Sequence, residues 1–127
     1  MSIEFKRHEF LEFFDNESLT FFDEEKYVEN YTYTIDLENG FKFLLNMLPI
    51  EQKLSITLRH ASAKCPLFDL DFEKHDIDKI SLSKEQDATF LNIYKVNGDN
   101  YPYRDKSLDT PYMKIRIKPS VTIQLSL

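Results

Sequence analysis

Two glycines, one cysteine and no tryptophan stand among 127 residues, and each shortage removes something. With only Gly40 and Gly98, the chain has no Gly-x-Gly-x-x-Gly and no Gly-Lys-Ser/Thr. It therefore lacks the glycine-rich loops that bring backbone amides up to phosphates, which argues against dinucleotide and nucleoside-triphosphate chemistry. Cys65 has no second cysteine, so no internal disulfide forms, and a lone thiol suits a reducing compartment. No stretch approaches the roughly 18 apolar residues of a membrane span. Met1 to His8 has no apolar run of the kind a secretion signal needs. A cytosolic protein is the expectation. In that setting the acceptor patterns Asn16-Glu17-Ser18 and Asn30-Tyr31-Thr32 read as chance matches rather than glycosylation sites. Gly, Ala and Arg are scarce while Lys, Ile, Phe, Tyr and Asn are common, the usage of an AT-rich gene.

Basic residues are also scarce in one place. The first thirty residues hold nine acids against Lys6, Arg7 and Lys26, whereas residues 31–127 hold thirteen of each sign. The formal charge of −6 thus belongs to the first thirty, which also contain six of the eleven phenylalanines. A concentrated field of one sign concerns partners, because it attracts the opposite sign. With 42% hydrophobic and 14% aromatic residues, the chain has the composition of a folded globule, and its length suits a single domain over 1–127.

Helical spacing is confined to residues 5–29. Phe10, Phe13 and Phe14 recur at i, i+3 and i+4, with Glu9, Glu12 and Asp15 on other faces. Ser18 or Thr20 can cap a second short helix with Asp23, Glu24 and Glu25 in its first turn, although Leu19 to Phe22 reads equally well as a strand. From Tyr31 the period becomes two. Tyr31, Tyr33, Ile35 and Leu37 alternate with polar residues, and so do Phe41, Phe43, Leu45 and Met47. A three-residue turn, Glu38 to Gly40, pairs Ile35 with Phe43 and Tyr33 with Leu45 and puts all eight on one face. A two-residue turn splits them, so the longer turn is expected, with Gly40 in the left-handed position. Further strands are expected at Leu54–Leu58, Phe68–Phe72, Ile77–Leu82, Thr89–Val96, Met113–Ile117 and Val121–Leu127. Residues 97–111 form a long polar loop. Short connections without helices predict antiparallel neighbours. The expected fold is mainly β (α+β): a twisted antiparallel meander of seven or eight strands over 31–127, as a sandwich or open barrel. The acidic, Phe-rich helical segment 1–30 packs on it.

No catalytic set emerges. Asp69, Asp71 and Glu73, followed by Asp76 and Asp78, resemble a calcium loop, but Lys74 and Ile80 stand where it needs glycine and glutamate. On a strand, i and i+4 carboxylates stand roughly 13 Å apart, too far for one ion. This ladder is a solvated or docking face. His8, His60 and His75 have no metal-ligand spacing. Cys65 can meet His60 or His75 only in space, and a plain thiol is the better reading. Tyr112, Lys114, Arg116 and Lys118 share one strand face, joined by Lys95 if the neighbouring strand lies alongside. Cations and an aromatic in that order can contact phosphate, but net acidity disfavours nucleic acid. No metal and no cofactor are implied, and the chain reads as a binding protein rather than an enzyme.

In size, acidity and lack of a catalytic set, the whole chain resembles the small immunity proteins of bacterial contact-dependent growth inhibition and related polymorphic toxin systems. That resemblance implies steric blockade of a basic toxin domain, most naturally a nuclease, with carboxylates answering its cations. It carries over no site residue. From the residues themselves, the partner-binding candidates are Glu12, Asp15, Asp23, Glu24 and Glu25 in the N-terminal segment. To these are added Asp69, Asp71 and Glu73 on the acidic strand, and Tyr101, Tyr103 and Arg104 in the long loop, where tyrosine and arginine favour interface hot spots. The competing readings are a β-barrel carrier or enzyme with an aromatic pocket, and a secretion chaperone.

Overall fold

A computed structural model describes residues 3–22, 28–72, 77–95, 111–118 and 121–125. A single short helix, α1 (Arg7–Phe13), precedes β1 (Asn16–Phe22), β2 (Val28–Asp36), β3 (Phe41–Leu48), β4 (Lys53–His60) and β5 (Phe68–Phe72). Then come β6 (Ile77–Glu85), β7 (Ala88–Lys95), β8 (Met113–Lys118) and β9 (Thr122–Leu125). The strands form two antiparallel meanders. The first sheet runs β1-β2-β3-β4-β5 and the second β6-β7-β8-β9. The mainly β fold with an N-terminal helix is as the periodicity predicts.

The β2–β3 hairpin has the predicted register. Tyr33 opposes Leu45 and Ile35 opposes Phe43, and the Leu37 amide donates to the Phe41 carbonyl at 2.8 Å. Glu38–Gly40 forms a 3-10 turn with Asn39 (φ 64°) and Gly40 (φ 83°) both left-handed. These residue types enter that region at least cost. Alternation then carries the apolar set inward on β2, β3 and β4, while Thr, Asn, Ser and Lys face out. In β6, Ile77 and Ile80 are both buried although three residues apart. A bulge leaves Asp78 without an opposing residue and restores the phase.

The two inner faces share one apolar core. Tyr33, Phe43, Leu45 and Ile56 of the first sheet and Ile80, Leu91, Ile93 and Ile115 of the second belong to it, and all are essentially inaccessible. This is a sandwich in which each sheet supplies the other's cover. Phe10 and Phe14 of the α1 region enter the same core, with rings 5.3 Å and 5.5 Å from that of Tyr33. A strap at the start of the chain ties the sheets together. The Ile3 amide donates to the Pro49 carbonyl, the Glu4 amide to the Asp78 carbonyl, and the Ile80 amide back to Glu4. Beyond α1, the Asp15 amide donates to the Thr34 carbonyl and begins β1.

The second expected helix is corrected. Among the described residues α-helix is confined to α1, and residues 16–22 form a strand, which raises the count of described strands to nine. The physical reason lies in β2, whose edge pairs with this stretch from Asn16–Thr34 to Phe22–Val28. A strand paired along its length outcompetes a short helix containing Thr20, Phe21 and Phe22, which are weak helix formers and good strand formers. The acidic segment is thus not a continuous helical cover. Asp23, Glu24 and Glu25 lie outside the described residues, as do Glu73, Tyr101, Tyr103 and Arg104.

Candidate binding surfaces

In β1, Glu17 opposes Tyr33 and so points to the inner face of the sheet. Arg7, in the first turn of α1, meets it with two parallel hydrogen bonds, Nε to Oε2 at 2.9 Å and Nη2 to Oε1 at 2.6 Å. The Tyr33 hydroxyl donates to the same Oε2 at 2.7 Å. Arg7 also sits 5.8 Å from the centre of the Tyr31 ring, whose hydroxyl donates to Glu29. The Arg7 hydrogen bonds hold the Glu17 carboxyl below the usual carboxylate range, and the guanidinium is pushed up in turn. Burial first, and the bond to Glu17 second, push the Tyr33 phenol well above its ordinary value. This clasp fastens the helix to the first sheet. Its acid already has a cation and a hydroxyl, so Glu17 has little left to offer a partner.

Asp15 has a similar internal duty: its Oδ2 accepts from the Asp36 amide at 2.9 Å. Glu12 is exposed on α1, beside an open groove of about 570 Å³ between the helix and the end of the second sheet. Glu9, Phe13, Lys84 and Lys118 also border this groove. Glu9 Oε1 is buried there with no hydrogen-bond partner among the described residues. Asp69 and Asp71 do come together, both exposed on the outer face of β5, where Asp69 accepts from Thr57 Oγ1 at 2.8 Å. They lie in rows of small polar residues that cross the sheet, one of them Ser18–Thr32–Asn46–Ser55–Asp71. Four strand spacings, about 19 Å, separate this acidic edge from β1. The structure therefore unites Asp69 with Asp71 but does not join them to Glu12 or Asp15.

The second sheet presents the opposite character. On its outer face Lys79, Lys114 and Arg116 alternate with Phe90, Tyr94 and Tyr112. β7 and β8 are indeed neighbours. Lys79 lies 5.0 Å from the Tyr94 ring centre, Lys114 4.5 Å from that of Phe90, and Lys95 4.9 Å from that of Tyr112. Lys114 also pairs with Glu85. Cations packed on rings bury their stems and keep their charge outward. Sorted by sheet, the described charges separate. Residues 3–22 and 28–72 hold eleven acids and six bases, and residues 77–95, 111–118 and 121–125 hold three acids and six bases. The chain order conceals this division, because a count over 31–127 offsets the second sheet's excess of bases with acids elsewhere in the sequence.

A second open groove, of about 450 Å³, lies at the β2–β3 turn beside Phe41, Arg59 and His60. The Ser62 amide donates to His60 Nδ1 at 3.1 Å, and Nε2 lies 2.8 Å from the Asn39 carbonyl, which can only accept. The ring therefore carries its proton on Nε2 and serves to hold two turns together. Both nitrogens are taken, so His60 forms no dyad with Cys65, which is exposed. His75 lies outside the described residues. Among the described residues no three His, Cys, Asp or Glu side chains gather as metal ligands, and no helix is long and apolar enough to cross a membrane. Compared with known proteins, the chain matches no family model, no curated protein and no solved structure. Its reading rests on its own geometry.

Proposed function

We propose that this protein is an inhibitor of the immunity class: a cytosolic binding protein that neutralises a basic toxin domain, a nuclease by preference, through tight occlusive binding. The observation that carries this reading is the separation of charge on a rigid, filled sandwich. The N-terminal segment and first sheet form an acidic half whose carboxylates Glu12, Asp69 and Asp71 are exposed. Charges fixed on paired strands steer a cationic partner without a cost of ordering them at encounter. The core supports binding at the surface rather than inside. The residues a carrier would use for a pocket, Tyr33, Phe43 and Phe10 among them, are packed against one another. The grooves beside α1 and at the β2–β3 turn are open to solvent.

The test begins with the immobilised protein and a lysate of its native host, with mass spectrometry to identify what is retained. A basic domain is expected, bound with an association rate that falls steeply with salt. The triple variant Glu12→Lys, Asp69→Lys, Asp71→Lys should slow association by about tenfold or more at low salt, and salt should shrink the difference. These acids are exposed and stand apart from the Arg7–Glu17 clasp, so the fold should survive. Retention of an acidic partner, or an association rate unchanged in the variant, would overturn the reading.

A further inference from the structure

Among the described residues β9 pairs only with β8, and β5 only with β4, so each sheet ends in an open edge. Of the other two edges, β6 is paired at one point by Glu4, and β1 is open but carries no acid on its outer face, where Asn16, Ser18 and Thr20 stand. β9 is unusual for an edge. It carries no charge and no proline, the devices that commonly keep edges from pairing. Ile123 and Leu125 stand in register with Ile115 and Met113, which are buried, yet are themselves 41% and 54% exposed. The apolar row of the inner face thus runs on to a strand with little over it. On the opposite face, Thr122 and Gln124 lie beside Arg116 and Lys114.

A strand added at this edge needs apolar residues at inner positions and acids at outer ones. The chain contains such a strand at another open edge, β5. In β5, Phe68, Leu70 and Phe72 are half-buried toward the inner side, while Asp69 and Asp71 are exposed on the outer face. We infer that two copies of this chain associate by strand addition, β5 of one copy against β9 of the other. The backbone edges supply the hydrogen bonds. Phe68, Leu70 and Phe72 extend the inner row beyond Ile123 and Leu125. Asp69 and Asp71 stand two strand spacings, about 10 Å, from Lys114 and Arg116, whose long stems can reach them over Gln124 and Thr122. Strands of five and four residues form a joint below the roughly 1,200 Å² of a stable interface, so the association is weak and concentration-dependent. It shares Asp69 and Asp71 with the toxin-binding reading, so the two associations would compete, but it is tested on the chain alone and stands or falls without the toxin.

Sedimentation of the full-length protein from micromolar to millimolar concentration tests this. The average mass should rise from one chain toward two, and less so at high salt. Two variants provide the decisive arm: Asp69→Lys with Asp71→Lys in one protein, and Lys114→Glu with Arg116→Glu in another. Each alone opposes like charges at the joint and should associate about tenfold more weakly. An equimolar mixture restores opposite charges at both joints and should associate as the parent does. Ile123→Lys should weaken association without any charge partner, and circular dichroism confirms the fold of each variant. A mass of one chain throughout, or variants whose mixture associates no better than either alone, would overturn the β5–β9 pairing.

Discussion

The two sheets share a core and differ in almost everything that faces outward. The first is wide, carries hydroxyls and amides in rows across its outer face, and is clasped to a helix through Arg7, Glu17 and Tyr33. The second is narrower, covers its outer aromatics with lysines, and ends in an uncharged strand. Inner faces answer to packing alone, so they converge on the same residue types. Outer faces have no such constraint, and there the sheets diverge in sign. The contrast shows that the sheets differ where packing does not fix the residue types.

The largest effects should fall on what the sheets share. Phe43→Ala in the first sheet and Leu91→Ala in the second should each cost about 3–5 kcal/mol, as large buried side chains do. Both should lower one cooperative thermal transition. A melt that splits in either variant would break the single core into two. Next comes the clasp, which belongs to the first sheet alone. Glu17→Gln should cost about 1–3 kcal/mol, because the hydrogen bonds of Arg7 and Tyr33 lose their ionised acceptor.

The pH dependence follows from the same residues. Glu17 titrates lower in the folded state, so its contribution is complete above the usual carboxylate range and is lost as pH falls through its depressed value. Tyr33 titrates higher when folded, so its contribution is complete below the ordinary tyrosine value of 10.0 and is lost as pH rises through its raised one. Denaturant titrations should show Glu17→Gln flattening the acid limb and Tyr33→Phe flattening the alkaline limb. A limb as steep as the parent's would remove the clasp from the account.

Smaller effects test the turn and the surface. Gly40→Ala should cost about 1–2 kcal/mol. The left-handed backbone penalises any Cβ, and the new methyl would stand 3.3 Å from His60 Nε2. Comparable in stability, at about 1–2 kcal/mol because two ring contacts and the Lys114–Glu85 pair are lost, is the triple change Lys79→Glu, Lys114→Glu, Arg116→Glu. It should nevertheless abolish retention on a heparin column at low salt, where the parent should be held despite its net charge of −6. Equal retention of both proteins would dissolve the charge contrast between the sheets.

Much of this was legible in the sequence wherever an apolar row alternates without interruption. The β2–β3 register follows from eight apolar residues and one glycine, since the competing turn would expose half of them. β1 was legible only as an open alternative at Leu19–Phe22, because Glu17 occupies an inward position that only Arg7, ten residues earlier, makes tolerable. β6 is legible as a strand at Ile77–Leu82, but its bulge is not, since Ile77 and Ile80 break a period of two until the bulge absorbs Asp78. β9 reads in sequence as a core strand, but register places Ile123 and Leu125 at an edge. For the candidate site, sequence correctly set Asp69 beside Asp71. It could not show that Asp15 is occupied with the Asp36 amide, or that charges balanced along the chain are divided in space. Those facts depend on which strands become neighbours.

The strap at the start of the chain has a consequence for the order of assembly. Ile3 and Glu4 are made well before their partners, the Pro49 carbonyl and the Asp78–Ile80 backbone. Ile3 can bond once the β3–β4 turn is made, but Glu4 must wait for β6. Until then the first sheet can pair strand by strand as each hairpin emerges, with its inner face uncovered. Closure of the strap is thus a late event that reports the arrival of the second sheet's first strand. A nascent chain halted before Ile77 would carry a formed first sheet and a loose beginning.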